Sequence, residues 1–320
     1  MQMAKNTKKH KTKKNGYKSV YERDGRKLFW MALPFVIFVF VFSYLPLWGW
    51  SFAFVNYKPG RNLLDCDWVG LRNFTTLFMQ PVMRNRLMEV IRNTLGMQLI
   101  NYLLMPVPMF FAIFLNELRS VKFRKFVQTV TTLPNFISWV IVYSLVYGML
   151  AVDTGFVNNI LKELGIIETG ISFLTDSNHV WLKMALLQLW KSLGWNAIVY
   201  MAAIAGIDHE ILEAAEVDGA GRMRRIWHII LPQLIPTFFV LLIMSIGNFL
   251  NTGMEQHQLF SNAMTKPYIE SLDLYVYNMG IGSGLISYST AVGMMKSVIS
   301  LVLFAGANWL SKIVRGTSAF

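Results

Sequence analysis

Long apolar runs alternate with short polar segments along almost the whole chain. Six of these runs have about 20 residues or more, the length that a helix needs to cross the hydrocarbon core of a membrane. They occupy residues 28–50, 93–115, 126–150, 180–206, 229–250 and 288–310. Because lipid offers no hydrogen-bond partners, the backbone groups of each run must pair within the segment, as they do in a helix. The pattern predicts an all-α membrane protein with six transmembrane helices.

The first apolar run follows a basic segment and is interpreted as a retained transmembrane helix. It is longer than the apolar part of a secretory signal, and no small-residue cleavage site follows it. The predicted organisation is a basic cytoplasmic tail at 1–27, a first helix at 28–50, an external loop at 51–91 and a membrane domain at 92–313. Within that domain, a cytoplasmic loop is expected at 207–228.

Composition and charge agree with a membrane protein. Hydrophobic residues make up 54% of the chain and charged residues only 15%, which does not suit a water-soluble globule. The net charge of +12 could indicate nucleic-acid binding, but ten of the 30 Lys and Arg residues lie before Leu28. A nucleic-acid-binding arm would leave the apolar remainder unexplained. The tail is therefore interpreted as flanking the membrane, and no nucleic acid is expected as a partner.

The distribution of basic residues also predicts the orientation. Nineteen lie in the two terminal segments and in segments 116–125 and 207–228, against seven in segments 51–91, 151–179 and 253–287. Cytoplasmic segments carry the excess of Lys and Arg. We therefore expect a multi-pass protein of the cell membrane with both termini in the cytoplasm. The five basic residues of segment 51–91 are tolerated outside because that loop is long.

Residues 207–236 form the most informative polar segment, between the fourth and fifth apolar runs. Asp208 is placed to cap a short helix in which acidic residues follow at three-residue spacing. Asp218 and Gly219 are expected to end that helix, and Asp218 is placed to cap the next one. The segment predicts a short acidic helix outside the membrane. It suits either the groove of a soluble partner or the role of an ordinary amphipathic connector.

This segment resembles the EAA signature of binding-protein-dependent ABC importer permeases. The matching residues are Glu213, Ala214, Ala215, Gly219 and the run Ile230, Leu231, Pro232. In that family the segment is a coupling helix that docks into a cytoplasmic ATPase. The resemblance therefore implies an ATPase-coupling role for Glu213, Ala214, Ala215, Asp218 and Gly219, and a type-1 (MetI-like) permease bundle as the fold.

The resemblance covers nearly the whole chain. In detail, the chain is similar to permeases of carbohydrate importers, those of the lipoprotein-named and multiple-sugar systems. The segments that carry it are WVGLRNF at 68–74, NELRSVKFRKFVQTVTTLPNFISWV at 116–140, GWNAIVYMAAIAGID at 194–208, LNTGMEQ at 250–256 and LYVYNMGI at 274–281. It implies a subunit that translocates oligosaccharides or sugars. The implied partners are a second homologous permease, two cytoplasmic ATPase subunits and an extracytoplasmic solute-binding protein. A peptide or amino-acid importer, an ion-driven carrier and an intramembrane enzyme are the alternatives.

Motifs for other chemistry are absent from the sequence. There is no G-x-x-x-x-G-K-[ST] phosphate loop, so ATP is expected to be used by partner subunits and not bound by this chain. The five histidines are scattered and no HExxH pair occurs, so neither a metal site nor catalytic residues are expected. Cys66 is the only cysteine, which excludes an internal disulfide.

Polar and aromatic residues in or beside the predicted spans are candidates for a substrate path. Lys191 and Lys296 lie within the fourth and sixth spans. They either extend towards the outer interface or face the path, where they would suit an acidic oligosaccharide. Amides and aromatic rings suit sugar hydroxyls and sugar faces, although they also serve helix packing and capping. The further candidates are Trp190, Trp195, Asn196, Asn248, Asn251, Glu255, Gln256 and Tyr275.

Overall fold

The computed structural model describes the backbone of residues 15–315. Over this range the regular structure is helical. The α-helices are α1 Asn15–Val39, α2 Arg72–Met79, α3 Pro81–Leu104, α4 Val107–Asn116, α5 Val121–Thr132, α6 Trp139–Leu150, α7 Phe156–Glu163, α8 Val180–Ala205, α9 His209–Val217, α10 Arg222–Arg225, α11 Leu231–Gly247, α12 Met254–Phe260, α13 Lys266–Ile269, α14 Leu272–Tyr277 and α15 Ile286–Arg315. An isolated antiparallel bridge joins Val55 and Trp68. The prediction of an all-α protein is confirmed.

Shorter helical segments of different pitch connect several of these helices. The π-helical turns are Phe40–Tyr44, Ile226–Ile230 and Asn278–Gly282, and the 3-10 segments are Leu45–Phe54, Leu63–Asp65 and Leu133–Phe136. The chain divides into two compact units, Met1–Ser51 and Phe52–Phe320. In the first unit, α1 continues into the π-helical turn and then into the 3-10 segment. The second unit holds the remaining helices.

Among the described residues, four helical segments are long and apolar enough to cross a membrane. They are Lys27–Phe54, Pro81–Asn116, Arg222–Gly247 and Ile286–Trp309. They correspond to the first, second, fifth and sixth predicted spans. Helix α8 has 26 residues but is not one of these segments, because lysines and amides interrupt its apolar sequence. The number of six spans therefore stays a prediction.

The third predicted span is not a straight helix. It consists of Val121–Phe136 and Trp139–Leu150, which are bent by 107° relative to each other. Pro134 lies in the 3-10 segment that ends the first part and has no backbone N–H to donate. Ser138 then caps α6 by accepting a hydrogen bond from the backbone N–H of Ile141 at 3.5 Å. The expectation of one continuous helix at 126–150 is therefore corrected to a broken one.

Helix α8 lies at the centre of the second unit and packs against α3, α4, α5 and α11. The unit contains three buried apolar clusters, and α8 contributes to two of them. One joins α2, α3, α14 and α15, a second joins α4, α8 and α11, and a third joins α6, α8, α12 and α13. The second cluster includes Ile207 and Ile226, at the two ends of the polar segment that carries α9. The polar segment is thus attached to the membrane helices at both of its ends.

Candidate functional site

A cavity of about 410 Å³ lies between α3, α4, α8 and the end of α11. Its polar lining consists of six side-chain amides and four hydroxyl groups, and none of the lining residues is charged. The polar residues are Gln98, Asn101, Tyr102, Gln188, Ser192, Asn196, Tyr200, Ser245, Asn248 and Asn251. Such a wall offers hydrogen-bond donors and acceptors without a net charge, so it suits a ligand rich in hydroxyl groups.

One wall of the cavity is a stripe of polar residues along α8. Gln188, Ser192 and Asn196 are spaced four residues apart, so they share one face of the helix and extend over about 12 Å. The indole of Trp195 lies beside them and meets the Phe136 ring edge-on at 5.7 Å between ring centres. The amides of Gln188 and Asn196 are exposed and make no side-chain hydrogen bond within the described part of the chain. Both therefore have free hydrogen-bonding capacity.

The facing wall, on α3 and α11, is tied together by its own hydrogen bonds. Asn101 donates from Nδ2 to Oε1 of Gln98 at 3.0 Å, and Gln98 donates from Nε2 to the carbonyl oxygen of Asn251 at 3.4 Å. The Tyr102 hydroxyl donates to the carbonyl oxygen of Ser245 at 2.9 Å. These bonds fix the side chains of this wall before any ligand arrives. The α8 wall has free amides and the facing wall is pre-organised.

Four of the ten residues predicted for a substrate path line this cavity: Trp195, Asn196, Asn248 and Asn251. Their role in transport stays a prediction. The structure places the other six elsewhere. Trp190 and Glu255 are exposed outside the cavity lining. Gln256 is buried and donates from Nε2 to the carbonyl oxygen of Met184 at 2.9 Å, and Tyr275 belongs to the buried cluster of α2, α3, α14 and α15.

The two predicted lysines also lie outside the cavity lining. Lys191 donates from Nζ to the carbonyl oxygens of Pro134 and Asn135 at 3.1 and 2.9 Å, and lies 5.5 Å from the ring centre of Trp139. Lys296 forms an ion pair with Asp273. Both ammonium groups are therefore engaged by the protein itself. Neither is placed to bind a carboxylate in the cavity.

Several residues of the cavity wall, chiefly on α3 and α8, were not predicted from the sequence. They are Gln98, Asn101, Tyr102, Gln188, Ser192, Tyr200 and Ser245. A usable signal was present for the amides, since Gln98, Asn101 and Gln188 interrupt predicted apolar spans, and polar residues inside spans are costly enough to indicate function. Serine and tyrosine carry no comparable signal, because a serine can bond to its own helix. Ser192, for example, donates to the carbonyl oxygen of Gln188 at 2.8 Å.

The predicted acidic helix outside the membrane is present as α9. Asp208 occupies its N-cap and accepts a hydrogen bond from the backbone N–H of Glu210 at 3.0 Å. Gly219 follows its C-terminus with φ of +78°, a conformation that favours glycine. Asp218 ends α9 but does not cap the next helix, since Gly221 occupies the N-cap of α10. That part of the expectation was wrong, because Gly219 and Ala220 separate Asp218 from the N-cap position of α10.

The five residues predicted to couple to an ATPase lie together on this helix and the turn after it. Glu213, Ala214, Asp218 and Gly219 are exposed and Ala215 is partly buried. The acidic side chains and the small alanines thus form an accessible surface. Their contact with an ATPase stays a prediction.

The residues that flank the α9–α10 segment are buried in the membrane domain. Ile207 before α9 and Ile226 after α10 are buried in one cluster with Tyr200 of α8. Glu216 of α9 accepts a hydrogen bond from Nη1 of Arg225 at 2.7 Å, which links α9 to α10. A displacement of α9 must therefore displace the cluster of α4, α8 and α11, because packed interiors do not deform freely.

Comparison with known proteins identifies the family. A family model described as "Binding-protein-dependent transport system inner membrane component" matches residues 105–316. Protein LplB of Bacillus subtilis (strain 168) is 40% identical, over 89% of this chain and 88% of that protein. The polygalacturonan/rhamnogalacturonan transport system permease protein YteP of the same organism is 41% identical, over 89% of this chain and 87% of that protein.

Solved structures of bacterial ABC transporters are also similar to this chain. A bacterial ABC transporter involved in the import of the acidic polysaccharide alginate contains a chain with a TM-score of 0.81 and 33% identity, which covers 93% of this chain and 99% of that one. A second structure shows the bacterial alginate transporter in complex with a periplasmic protein bound to an alginate pentasaccharide, with a TM-score of 0.82, 33% identity and coverage of 95% and 100%. The chain therefore belongs to the family of inner membrane components of binding-protein-dependent transport systems.

Proposed function

We propose that this chain is the permease subunit of an ATP-driven importer of oligosaccharides. The observation that carries this proposal is the cavity at α8, whose amides, hydroxyls and indole match the hydroxyl groups and apolar faces of a sugar. Similar proteins support it, since their names specify polygalacturonan and rhamnogalacturonan, arabinooligosaccharides and alginate.

The chain acts with partners. A second homologous permease closes the open side of the cavity, where Gln188 and Asn196 are exposed. Two cytoplasmic ATPase subunits supply the energy, and one of them receives α9. A solute-binding protein delivers the saccharide from outside, and both termini of the chain lie in the cytoplasm. ATP is bound and hydrolysed by the partner subunits, and this chain contributes no catalytic group.

The geometry supports alternating access. Closure of the ATPases on ATP moves α9, and the buried cluster around Ile207 and Ile226 carries that movement into α4, α8 and α11. Because α8 and α11 both line the cavity, their displacement changes which side of the membrane the cavity faces. ATP biases the equilibrium only as far as it favours one of the two arrangements.

Reconstitution tests the proposal directly. The chain is purified with its native companions in mild detergent and returned to liposomes with the binding protein. We expect two ATPase subunits and a second permease to co-purify, and ATP to drive accumulation of an arabino-oligosaccharide or an oligogalacturonide. Purification of intact, folded chain without an ATPase would refute the ATP-driven mechanism. Accumulation of a peptide but of neither saccharide would refute the substrate class.

The substitution Glu213→Lys tests the coupling surface. Glu213 is exposed on α9, so reversal of its charge leaves the fold intact but places repulsion in the proposed interface, where like-charge contact costs several kcal/mol. We expect the variant to insert normally, to lose most of its bound ATPase on purification, and to show saccharide uptake near background. Glu168→Lys, an equivalent reversal at another exposed glutamate, is the matched control. Equal ATPase recovery with both variants would argue against docking at α9.

A further inference from the structure

The ion pair of Lys296 and Asp273 joins two neighbouring helices. Lys296 lies on α15 and Asp273 on α14, and their side chains are only 13% and 23% exposed. Lys296 is ten residues from the start of α15, or about 15 Å along the helix, within the segment Ile286–Trp309 that is long and apolar enough to cross a membrane. Asp273 pairs with it there, although the sequence predicts residue 273 in an external loop. Inside a membrane an unpaired charge is costly.

Asp273 uses its second oxygen to hold the cavity wall. Its Oδ2 accepts a hydrogen bond from the backbone N–H of Thr252 at 3.0 Å, while Oδ1 faces Lys296. Thr252 directly follows Asn251, which lines the cavity and whose carbonyl oxygen accepts from Gln98 at 3.4 Å. A continuous chain of contacts therefore runs from α15 through Asp273 to the cavity.

The part of the wall that Asp273 holds has no regular structure of its own. Helix α11 ends at Gly247 and α12 begins at Met254. Between them the chain forms single turns and no continuous helix, as in the hydrogen bond from the backbone N–H of Asn251 to the carbonyl oxygen of Asn248 at 2.9 Å. The Thr252 hydroxyl is buried without a hydrogen-bond partner in the described part of the chain. Its backbone N–H is therefore the group that fixes Thr252, and the Asp273 carboxylate is the acceptor that fixes it.

We propose that Asp273 is a positioning residue of the transport path, and that Lys296 compensates its charge inside the membrane. Asp273 holds Thr252, and through it Asn251, at the end of the cavity that faces the binding protein. This inference rests on the proposed function, because the position of Asn251 matters for transport only if the saccharide passes through this cavity. The pair thus acts on the path without touching the substrate.

Two double variants separate positioning from charge compensation. Both carry Lys296→Met, so both remove the buried ion pair. Asp273→Asn keeps an oxygen that accepts from Thr252, whereas Asp273→Leu removes it. The full transporter is reconstituted with its binding protein, and the molecules of arabino-oligosaccharide or oligogalacturonide delivered per ATP hydrolysed are measured. A fold defect lowers the amount of transporter but leaves this ratio unchanged.

We expect the Asn variant to retain the wild-type ratio within about twofold and the Leu variant to lose about fivefold to tenfold, the effect of one buried hydrogen bond between neutral groups. If the Leu variant fails to assemble, Asp273→Ala in the same background must show the same loss. Lys183→Met with Asp176→Asn, which removes an ion pair of 3.7 Å outside the cavity, is the control and should be unaffected.

Equal ratios for the Asn and Leu variants would overturn the inference. A wild-type transporter that assembles and hydrolyses ATP but delivers neither saccharide would instead refute the proposed substrate.

Discussion

Among single residues, Lys191 shows how a membrane protein uses a charge away from its transport path. Its ammonium group satisfies the carbonyl oxygens of Pro134 and Asn135 at the break of the bent span. Carbonyls at such a break lose helical partners: the Pro134 oxygen still accepts from the backbone N–H of Ile137 at 3.2 Å, whereas the Asn135 oxygen has no backbone donor in the described part of the chain. The ring of Trp139 adds a cation–π contact. Lys191 is therefore a structural cap for the bend between α5 and α6.

The substitution Lys191→Met tests this role. Methionine has a similar length but no donor, so the Asn135 carbonyl loses its partner and the Pro134 carbonyl keeps only the N–H of Ile137, at a cost of about 2 kcal/mol. We expect a lower midpoint of thermal unfolding for the transporter in detergent, with the uncharged cavity wall unaltered. Lys183→Met, on the same helix but at a partly exposed ion pair, is the control and should change the midpoint little. An unchanged midpoint for Lys191→Met would show that the carbonyls are satisfied in another way.

The sequence identified some residues that line the cavity, although their role in transport stays a prediction. Asn248 and Asn251 lie at the end of the apolar run 229–250, and both line the cavity. Lys191 and Lys296 met the same criterion of polarity inside a span, but their charges are engaged by groups far away in sequence, Pro134 and Asp273. One sequence without a three-dimensional arrangement cannot distinguish a lysine that faces a path from one that faces a carbonyl.

At the scale of elements, the contact of α8 with α5 depends on a glycine. A Cβ atom at Gly194 would lie 2.4 Å from the carbonyl carbon of Thr131 and 2.5 Å from the backbone nitrogen of Thr132. The two helices therefore approach each other closely, as small residues permit in membranes. Gly194 is followed by Trp195 and Asn196 of the cavity wall. The close contact thus sets how far this wall stands from α5.

The substitution Gly194→Ala should force α8 and α5 apart, because the added methyl group meets backbone and not a flexible side chain. Overpacking of this kind costs about 1–3 kcal/mol. We expect a lower thermal midpoint together with reduced saccharide uptake per assembled transporter. Gly148→Ala is the matched control, since its Cβ would have no neighbour within 4 Å, and alanine favours a helix. Normal stability and uptake in Gly194→Ala would show that the crossing is adaptable.

Elements were predictable where one signal dominated. Helix α9 has a capping aspartate, a run of helix formers and a glycine after its end, and the structure contains each of these features. The break at 133–138 was less visible, because a proline and a serine within an apolar run also occur in continuous transmembrane helices. The packing of segment 248–285 against the long apolar helices had no local signal at all. It depends on contacts with α3 and α15, such as the pair of Asp273 and Lys296.

For the whole molecule, the orientation in the membrane is a prediction from the basic residues, and it assigns each polar segment to one side. The chain offers a natural probe, because Cys66 is its only cysteine and lies in a segment predicted outside. Val217 at the end of α9 is 88% exposed and belongs to the segment proposed to face the cytoplasm. The two positions therefore report on opposite sides of the membrane.

A membrane-impermeant maleimide should label Cys66 in cells from which the wall and any outer membrane have been removed while the cell membrane stays sealed. In the variant Cys66→Ser with Val217→Cys, we expect labelling only after the membrane is permeabilised, because lipid blocks the reagent from the cytoplasmic side. Cys66→Ser alone controls for background. Labelling of position 217 in sealed cells would reverse the topology and remove α9 from reach of any cytoplasmic ATPase. The orientation and the ATP-driven mechanism thus share one test, since α9 can couple to an ATPase only if both termini lie in the cytoplasm.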